Sequence, residues 1–147
     1  MLRYQLYECS GHTIEIEKEV IYLKNYVALQ QLRKGENYLV DFTANDLTGF
    51  NLPPLLLIPF VENAFKHVST FPDKKNEIRI SLLKASDTFK MDVFNTIGEI
   101  QGVIPEASGI GMKNVMRRLE LLFKEGYKLN VSKTGESYSV ILEFPIL

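Results

Sequence analysis

The hydrophobic period of this chain changes repeatedly between the value of a helix and that of a strand. Apolar residues recur at three- and four-residue spacing in three segments, 13–34, 54–68 and 112–123. They alternate with polar residues, as in half-buried strands, over 78–82, 89–93, 129–131 and 138–144. Turns at Ala85-Ser86-Asp87 and Thr134-Gly135 join these strand patterns into two hairpins. We therefore expect an α+β, two-layer fold in which a mostly antiparallel sheet carries helices on one face.

Residues at the segment ends refine this expectation. Thr13 is the predicted N-cap of the first helix and Gly35 its stop. A short strand over 38–42 and a turn over 43–46 follow. Pro53-Pro54 opens the second helix, and Pro59 is expected to kink it. The predicted buried stripe of the first helix consists of Ile16, Val20, Leu23, Val27 and Leu29.

Length and composition restrict the class of protein. With 147 residues, 46% of them apolar, the chain suffices for one domain. Its net charge of −1 argues against broad electrostatic binding of nucleic acid. One cysteine, Cys9, and two histidines exclude a disulfide framework and a four-ligand Cys/His zinc site. No apolar run reaches the roughly 18 residues of a membrane span, and the residues after Met1 lack the apolar stretch of a signal peptide. We therefore expect a soluble intracellular protein.

The second helix carries a polar cluster beside its buried stripe. With Leu57 at zero, Phe60, Val61, Ala64 and Val68 fall within roughly 60° on a helical wheel and form the predicted buried stripe. Asn63, Lys66 and His67 fall between roughly 180° and 280°. An Asn oxygen can coordinate Mg²⁺ and a Lys ammonium can pair with phosphate, so the cluster suits a metal-bound polyphosphate. The alternative is a solvated helix edge.

Two glycines, Gly109 and Gly111, stand immediately before the third helix. Glycine lets the backbone approach an anion, and a helix N-terminus presents unpaired N–H groups to it. The alternative is an ordinary end to the aperiodic loop over 96–108. The chain has no Gly-x-x-x-x-Gly-Lys-Ser/Thr, so a P-loop is excluded, and glycines that follow a loop disfavour a dinucleotide fold.

Together these segments resemble a known family. Residues 52–67, LPPLLLIPFVENAFKH, look like the N box of the LytS/YehU-type sensor histidine kinases, whose catalytic domain has the Bergerat (GHKL) ATP-binding fold. Residues 109–122, GIGMKNVMRRLELL, resemble that family's second glycine box. Residues 19–26, EVIYLKNY, are similar to the second helix of its dimerisation region. The resemblance implies a dimerisation remnant over 1–35 and an ATP-binding domain over 36–147.

The resemblance also implies the roles of the site residues. Asn63 would hold Mg²⁺, Lys66 and His67 would lie near the phosphates as catalytic and ATP-binding residues, and the loop over 96–108 would be the ATP lid. The glycine-box residues that would meet the phosphates through their backbone are Gly109, Ile110, Gly111 and Met112. Catalysis would consist of positioning and charge neutralisation during transfer of the γ-phosphoryl group to a histidine. Glu62 falls at about 140° on the wheel, off the nucleotide side, and is not assigned as a base.

One motif departs from the family. The Asp-x-Gly-x-Gly adenine box is replaced by residues 95–99, NTIGE, so Asn95 takes the place of the adenine-binding Asp. A neutral acceptor is weaker by about 1 kcal/mol, or about fivefold in affinity, so weak ATP binding is expected. The alternatives are that Asn95 is a strand-end turn residue, and that the chain is a degenerate GHKL domain without nucleotide that serves in dimerisation or docking.

The resemblance implies partners that the chain does not contain. The family's phosphoacceptor histidine lies in an upstream helix, and neither His12 nor His67 has that context. We therefore expect a fragment that cannot autophosphorylate by itself and that acts on its own phosphoacceptor helix. The implied partners are a response regulator of the LytTR type and a second copy in the full-length protein, with no nucleic acid. The implied setting is the cytosolic part of an inner-membrane bacterial sensor.

Overall fold

The computed structural model describes residues 13–45, 47–98 and 110–146, with the side chain of Ile110 left aside. Its three helices are α1 (Ile16–Lys34), α2 (Ile58–His67) and α3 (Ile110–Phe123). Five longer strands form the main sheet: β2 (Tyr38–Asn45), β4 (Asn76–Ala85), β5 (Thr88–Thr96), β6 (Lys128–Lys133) and β7 (Ser137–Pro145). Two short strands, β1 (Ile14–Glu15) and β3 (Asn51–Leu52), pair with each other.

The main sheet has the strand order β2-β4-β5-β7-β6. The β2–β4 pair is parallel, and the β4–β5, β5–β7 and β6–β7 pairs are antiparallel. A parallel neighbour needs a long crossover connection, which the segment containing β3 and α2 supplies here. The predicted α+β class with a mostly antiparallel sheet is confirmed, as are both predicted hairpins.

Helices cover one face of this sheet and enclose a single hydrophobic core. Inward residues alternate strictly along β4, β5 and β7, as the period-2 pattern predicts. Phe89 lies near the start of β5, the middle strand of the sheet, and its ring is 4.9 Å from that of Phe144, which stacks at 4.7 Å on Phe123 of α3. In the part of the chain that the structure describes, no helix combines the length and the apolarity that crossing a bilayer requires.

Helix α1 contributes to this same core. Ile16 and Leu23 are fully buried, as predicted, whereas the prediction for Leu29 is wrong because half of its side chain is exposed. Since α1 contributes its buried residues to the core that the sheet also lines, both belong to one folded unit within the described residues. The division into a dimerisation remnant over 1–35 and a catalytic domain over 36–147 stays a prediction.

Several predicted boundaries are wrong, and pairing between distant segments explains two of them. Helix α1 begins at Ile16 with Glu15 in the N-cap position, so Thr13 is not the cap; Ile14–Glu15 are drawn into pairing with Asn51–Leu52. Strand β2 continues through the predicted turn to Asn45, because β4 offers it partners as far as Leu83. Helix α3 begins two residues before the predicted Met112. The stop of α1 at Gly35 is confirmed, with φ of 88°.

Candidate functional site

Helix α2 begins later than predicted because a strained turn precedes it. Leu55 has φ of 59°, a left-handed conformation that only glycine adopts without cost, so the helix cannot extend back to Pro54. The first helical residue is Ile58, and Pro59 therefore lies at the second helical position. An N–H group there would have no partner within the helix, so Pro59 starts the helix instead of kinking it. The predicted kink is wrong.

The buried stripe of α2 agrees with the wheel. Its apolar residues are buried against the sheet and against the neighbouring helices; they are Phe60, Val61, Ala64, Phe65 and, just beyond the helix, Val68. The polar cluster beside this stripe is only partly shielded: Asn63 and His67 are half-buried and Lys66 is exposed. Burial, and then the nearby Lys66 ammonium, lower the pKa of His67 below its usual 6.5. The lowered pKa favours the neutral form of the His67 imidazole near pH 7.

Lys66 also lines a polar cleft of about 370 Å³ between α1 and α2, together with Tyr26 and Glu62. Glu62 thus lies on the side of α2 that faces α1. Burial raises the pKa of Glu62 above its usual 4.5, and burial together with the nearby Glu62 carboxylate raises the pKa of Tyr26 to about 12. Because Lys66 lines the same cleft, the absence of Glu62 from phosphate chemistry stays a prediction.

Asn95 lies inside the sheet and not in a turn. It is the penultimate residue of β5, paired with Ile78 on one side and Tyr138 on the other, and it is 1% exposed. It occupies the inward row that continues from Phe89, Met91 and Val93. Its Nδ2 donates a 3.1 Å hydrogen bond to the carbonyl oxygen of Thr96. The turn interpretation of Asn95 is therefore wrong.

Tyr138 is a site residue that the sequence analysis missed. It lies directly opposite Asn95, is 6% exposed and begins the inward row of β7. Its buried hydroxyl has no hydrogen-bond partner among the described residues, and burial raises its pKa. A buried polar group without a partner is costly, so this hydroxyl indicates a place where a ligand or another segment supplies one. The sequence signal was a tyrosine at the start of an alternating row whose other inward residues are apolar.

A buried hydrogen-bond network ties the end of α2 to the end of β5. The Asn76 side chain makes four hydrogen bonds: Oδ1 accepts from Ser69 Oγ (2.6 Å) and Phe71 N (2.7 Å), and Nδ2 donates to the carbonyls of Asn37 (3.2 Å) and Phe71 (3.1 Å). Ser69 Oγ is also 2.7 Å from Thr96 Oγ1. Since Thr96 follows Asn95 and Ser69 follows α2 closely, the network holds these two parts of the site together.

The glycine box contributes the first turn of α3. Gly111 lies within the helix and is exposed, and nothing among the described residues lies within 4 Å of the position that a Cβ would take. Met112 is 4% exposed and belongs to the core, so only its backbone is available to a ligand. Gly109 and most of the predicted lid lie outside the described residues.

The arrangement offers a nucleotide a polar helix edge, a buried polar pair and the first turn of α3. The described residues contain no group of three or more His, Cys, Asp or Glu side chains that could enclose a metal ion. A cation at Asn63 would therefore take most of its ligands from phosphate oxygens, as Mg²⁺ does with nucleotides. The Tyr138 hydroxyl, which has no hydrogen-bond partner among the described residues, and the exposed Gly111 fit such a ligand.

Comparison with known proteins identifies related sequences. No protein-family model matches the chain. Sensor histidine kinase YpdA of Escherichia coli (strain K12) is 28% identical over 142 residues, which cover 91% of this chain and 25% of YpdA. Sensor protein LytS of Streptococcus mutans is 29% identical over 143 residues, which cover 90% of this chain and 25% of LytS. The chain thus spans about a quarter of the length of the curated relatives it matches.

Solved structures with the same fold are histidine kinases. The catalytic domain of histidine kinase ThkA gives a TM-score of 0.62 at 14% identity, covering 90% of this chain and 94% of that domain. Full-length ShkA in complex with AMPPNP gives 0.64 at 14% identity, covering 93% of this chain and 31% of ShkA. ThkA in complex with response regulator protein TrrA gives 0.58 at 12% identity, covering 99% of this chain and 46% of ThkA.

The sequence relatives and the structural neighbours agree with each other. The relatives match nearly the whole chain, and the ThkA catalytic domain, taken alone, has nearly the same extent as this chain. The chain is therefore a homologue of the LytS and YpdA sensor histidine kinases and has the GHKL fold of histidine kinase catalytic domains.

Proposed function

We propose that this chain is the ATP-binding catalytic domain of a two-component sensor histidine kinase. The observation that carries the proposal is the buried pair Asn95 and Tyr138, two polar side chains at the end of the core, one of them with a hydroxyl that lacks a partner among the described residues. Such a pair suits recognition of a flat, hydrogen-bonding base. The homology to sensor histidine kinases and the shared catalytic-domain fold support the same function.

Each part of the site has a role in this proposal. The Asn95 side-chain oxygen accepts a hydrogen bond from the adenine amino group, and the Tyr138 hydroxyl provides a second polar contact to the base. The backbone N–H groups of Ile110, Gly111 and Met112 face the phosphates, where a helix N-terminus carries a partial positive charge. Gly109 would extend this backbone contact.

Asn63, Lys66 and His67 serve the phosphate end. Asn63 would hold Mg²⁺, which supplies charge neutralisation at the phosphate oxygens when it is bound. Lys66 pairs with a phosphate as a point charge. His67, whose lowered pKa favours the neutral form, donates or accepts a hydrogen bond there, and a nearby phosphate would raise its pKa.

The reaction proposed is transfer of the γ-phosphoryl group to a histidine outside this chain. Because the transition state spreads charge over phosphate oxygens, the chain contributes mainly by orienting ATP and neutralising charge. The acceptor would be the phosphoacceptor helix of the parent protein. A response regulator of the LytTR type, a homodimeric parent and a cytosolic position of this domain belong to the same proposal; among the structural neighbours, ThkA has been solved with its response regulator TrrA.

A second candidate function is a degenerate GHKL domain that binds no nucleotide and serves in dimerisation or docking. The observation favouring it is Asn95, a neutral residue at the adenine-binding position. In that case another segment of the parent protein would partner the Tyr138 hydroxyl.

Calorimetric titration with Mg·ATP distinguishes the two candidates. We expect weak binding by the unmodified chain and at least about tenfold weaker binding by Asn63→Ala. Asn130→Ala is the matched control, because Asn130 is an exposed residue of the edge strand β6. Absence of binding at millimolar nucleotide would contradict the kinase proposal and favour the docking module. Phosphorylation of the parent protein's acceptor helix, added separately, then tests the transfer step.

A further inference from the structure

One peptide group, Pro54–Leu55, is hydrogen-bonded at both ends by side chains from different helices. Glu19 of α1 accepts a 3.2 Å hydrogen bond from the Leu55 N–H through Oε2. Arg118 of α3 donates a 2.9 Å hydrogen bond from Nη2 to the Pro54 carbonyl, and its Nη1 lies 3.4 Å from the Leu55 carbonyl. The peptide is trans, so its N–H and C=O point in opposite directions and the two side chains hold it from opposite sides.

The residue held in this way is conformationally strained. Leu55 has φ of 59°, and a leucine leaves the left-handed region readily unless its surroundings hold it there. Glu19 is completely buried and Arg118 is half-buried, so both hydrogen bonds to the peptide are partly shielded from water. A hydrogen bond donated by a guanidinium in such surroundings is stronger than one at the surface. The contacts are therefore suited to keeping Leu55 in its strained conformation.

The held peptide lies within the N-box segment, just before α2, and is contacted from the helix that carries the glycine box. Helix α2, which carries Asn63, begins at Ile58, three residues after Leu55. Arg118 lies on the same helix as Gly111, about 10 Å further along its axis. Arg118 thus connects the glycine-box helix to the start of the N-box helix, and Glu19 connects α1 to the same point. A change in this peptide would alter the position of α2 relative to α3.

We propose that Glu19 and Arg118 are positioning residues for the nucleotide site: by holding the Pro54–Leu55 peptide in its strained conformation, they set where α2 begins relative to the N-terminus of α3. The expected effect on ATP binding rests on the proposed function. The hydrogen bonds that hold the peptide do not depend on that function, and their effect on hydrogen exchange can be measured without nucleotide.

Hydrogen exchange and nucleotide affinity together test this inference. In Arg118→Met, which keeps the length of the side chain and removes its donors, we expect the amides of 55–61 to exchange at least about tenfold faster. The Kd for Mg·ATP, measured well below the unfolding temperature, should rise by about fivefold or more. Arg118→Lys, which retains a charged donor group but not the forked guanidinium that reaches both carbonyls, should restore part of both effects. Glu19→Gln keeps an acceptor without the charge and should give an intermediate rise in exchange.

Arg117→Met and Glu17→Gln are matched controls, because Arg117 and Glu17 are exposed neighbours on the same two helices. Both should leave exchange over 55–61 and the Kd unchanged. Faster exchange throughout the chain with an unchanged Kd of the folded protein would assign Glu19 and Arg118 a purely structural role and overturn the proposal. If Arg118→Met does not fold, unchanged exchange in both Arg118→Lys and Glu19→Gln overturns it as well. Failure of the unmodified chain to bind ATP contradicts the proposed function, and exchange over 55–61 then decides alone whether the peptide is held.

Discussion

Tyr138 of β7 lies directly opposite Asn95 of β5, and both side chains are buried on the helix-covered face of the sheet. All other inward positions of these two strands, from Phe89 to Val93 and from Val140 to Phe144, are apolar. The polar pair therefore interrupts the apolar rows near the end of β5, where Thr96 contacts Ser69 just beyond α2. Both side chains are shielded from water, and a buried polar pair of this kind is suited to selective recognition of a ligand.

Tyr138→Phe separates stability from ligand binding. Because the hydroxyl has no partner among the described residues, its removal should leave the free energy of unfolding unchanged or raise it by up to about 1 kcal/mol. The same substitution should weaken Mg·ATP binding by about threefold to tenfold if the base uses this hydroxyl. Urea unfolding and calorimetry measure the two effects. A destabilised variant with unchanged ATP affinity would show that the hydroxyl has a partner within the chain.

Asn95→Asp introduces the charged acceptor that the family resemblance implies for the adenine box. We expect about fivefold tighter ATP binding, because a charged acceptor forms the stronger hydrogen bond. The variant should also be less stable without nucleotide, since the position is 1% exposed and the Nδ2 bond to Thr96 is lost. Asn130→Asp on the exposed edge strand is the control. Equal affinity in Asn95→Asp and the unmodified chain would exclude Asn95 from base recognition.

Asn76→Asp tests the network behind the site. The substitution keeps the oxygen that accepts from Ser69 and Phe71 but replaces the Nδ2 donor by an oxygen facing two carbonyls. We expect a loss of at least about 2 kcal/mol in the free energy of unfolding, because a charge is buried and the new oxygen faces the carbonyls of Asn37 and Phe71, each of which keeps one other donor. Denaturant unfolding measures this loss, and Asn130→Asp should cost little. A loss in Asn76→Asp no larger than in that control would show that the network is not stabilising.

The titration of His67 makes stability depend on pH. Burial and Lys66 lower its pKa in the folded state below 6.5, so the unfolded chain binds more protons between the two pKa values. The free energy of unfolding should therefore rise with pH through the window just below 6.5 and stop responding to this group above it. In His67→Gln this contribution should disappear. The difference between the two unfolding curves, measured over pH, isolates it.

NMR titration of the His67 ring checks the cause directly. Lys66→Met should move the pKa of His67 back toward 6.5 without restoring it fully, since burial is the larger cause. Saturation with Mg·ATP should raise the pKa if a phosphate lies nearby. A pKa at or above 6.5 in the free protein would contradict the structural assignment.

Much of the fold could be predicted from local pattern. The alternation over 78–93 and 129–144 depends on which side chains face the core, and it places both hairpins and the inward rows of β4, β5 and β7. The wheel of α2 likewise predicts its buried stripe. These features repeat every two or every 3.6 residues, so neighbouring residues are enough to reveal them.

The errors lie where distant segments meet. Ile14–Glu15 leave the helix to pair with Asn51–Leu52, and Leu55 is held in a left-handed conformation by side chains from α1 and α3. Tyr138 becomes a partner of Asn95 only when β7 is paired with β5. The sequence by itself determined the elements, their buried faces and the two motifs that point to a phosphate ligand. Only the tertiary structure decided where α2 begins, which polar groups are buried together and which hydroxyl is left for a ligand, because these depend on contacts between residues far apart in the chain.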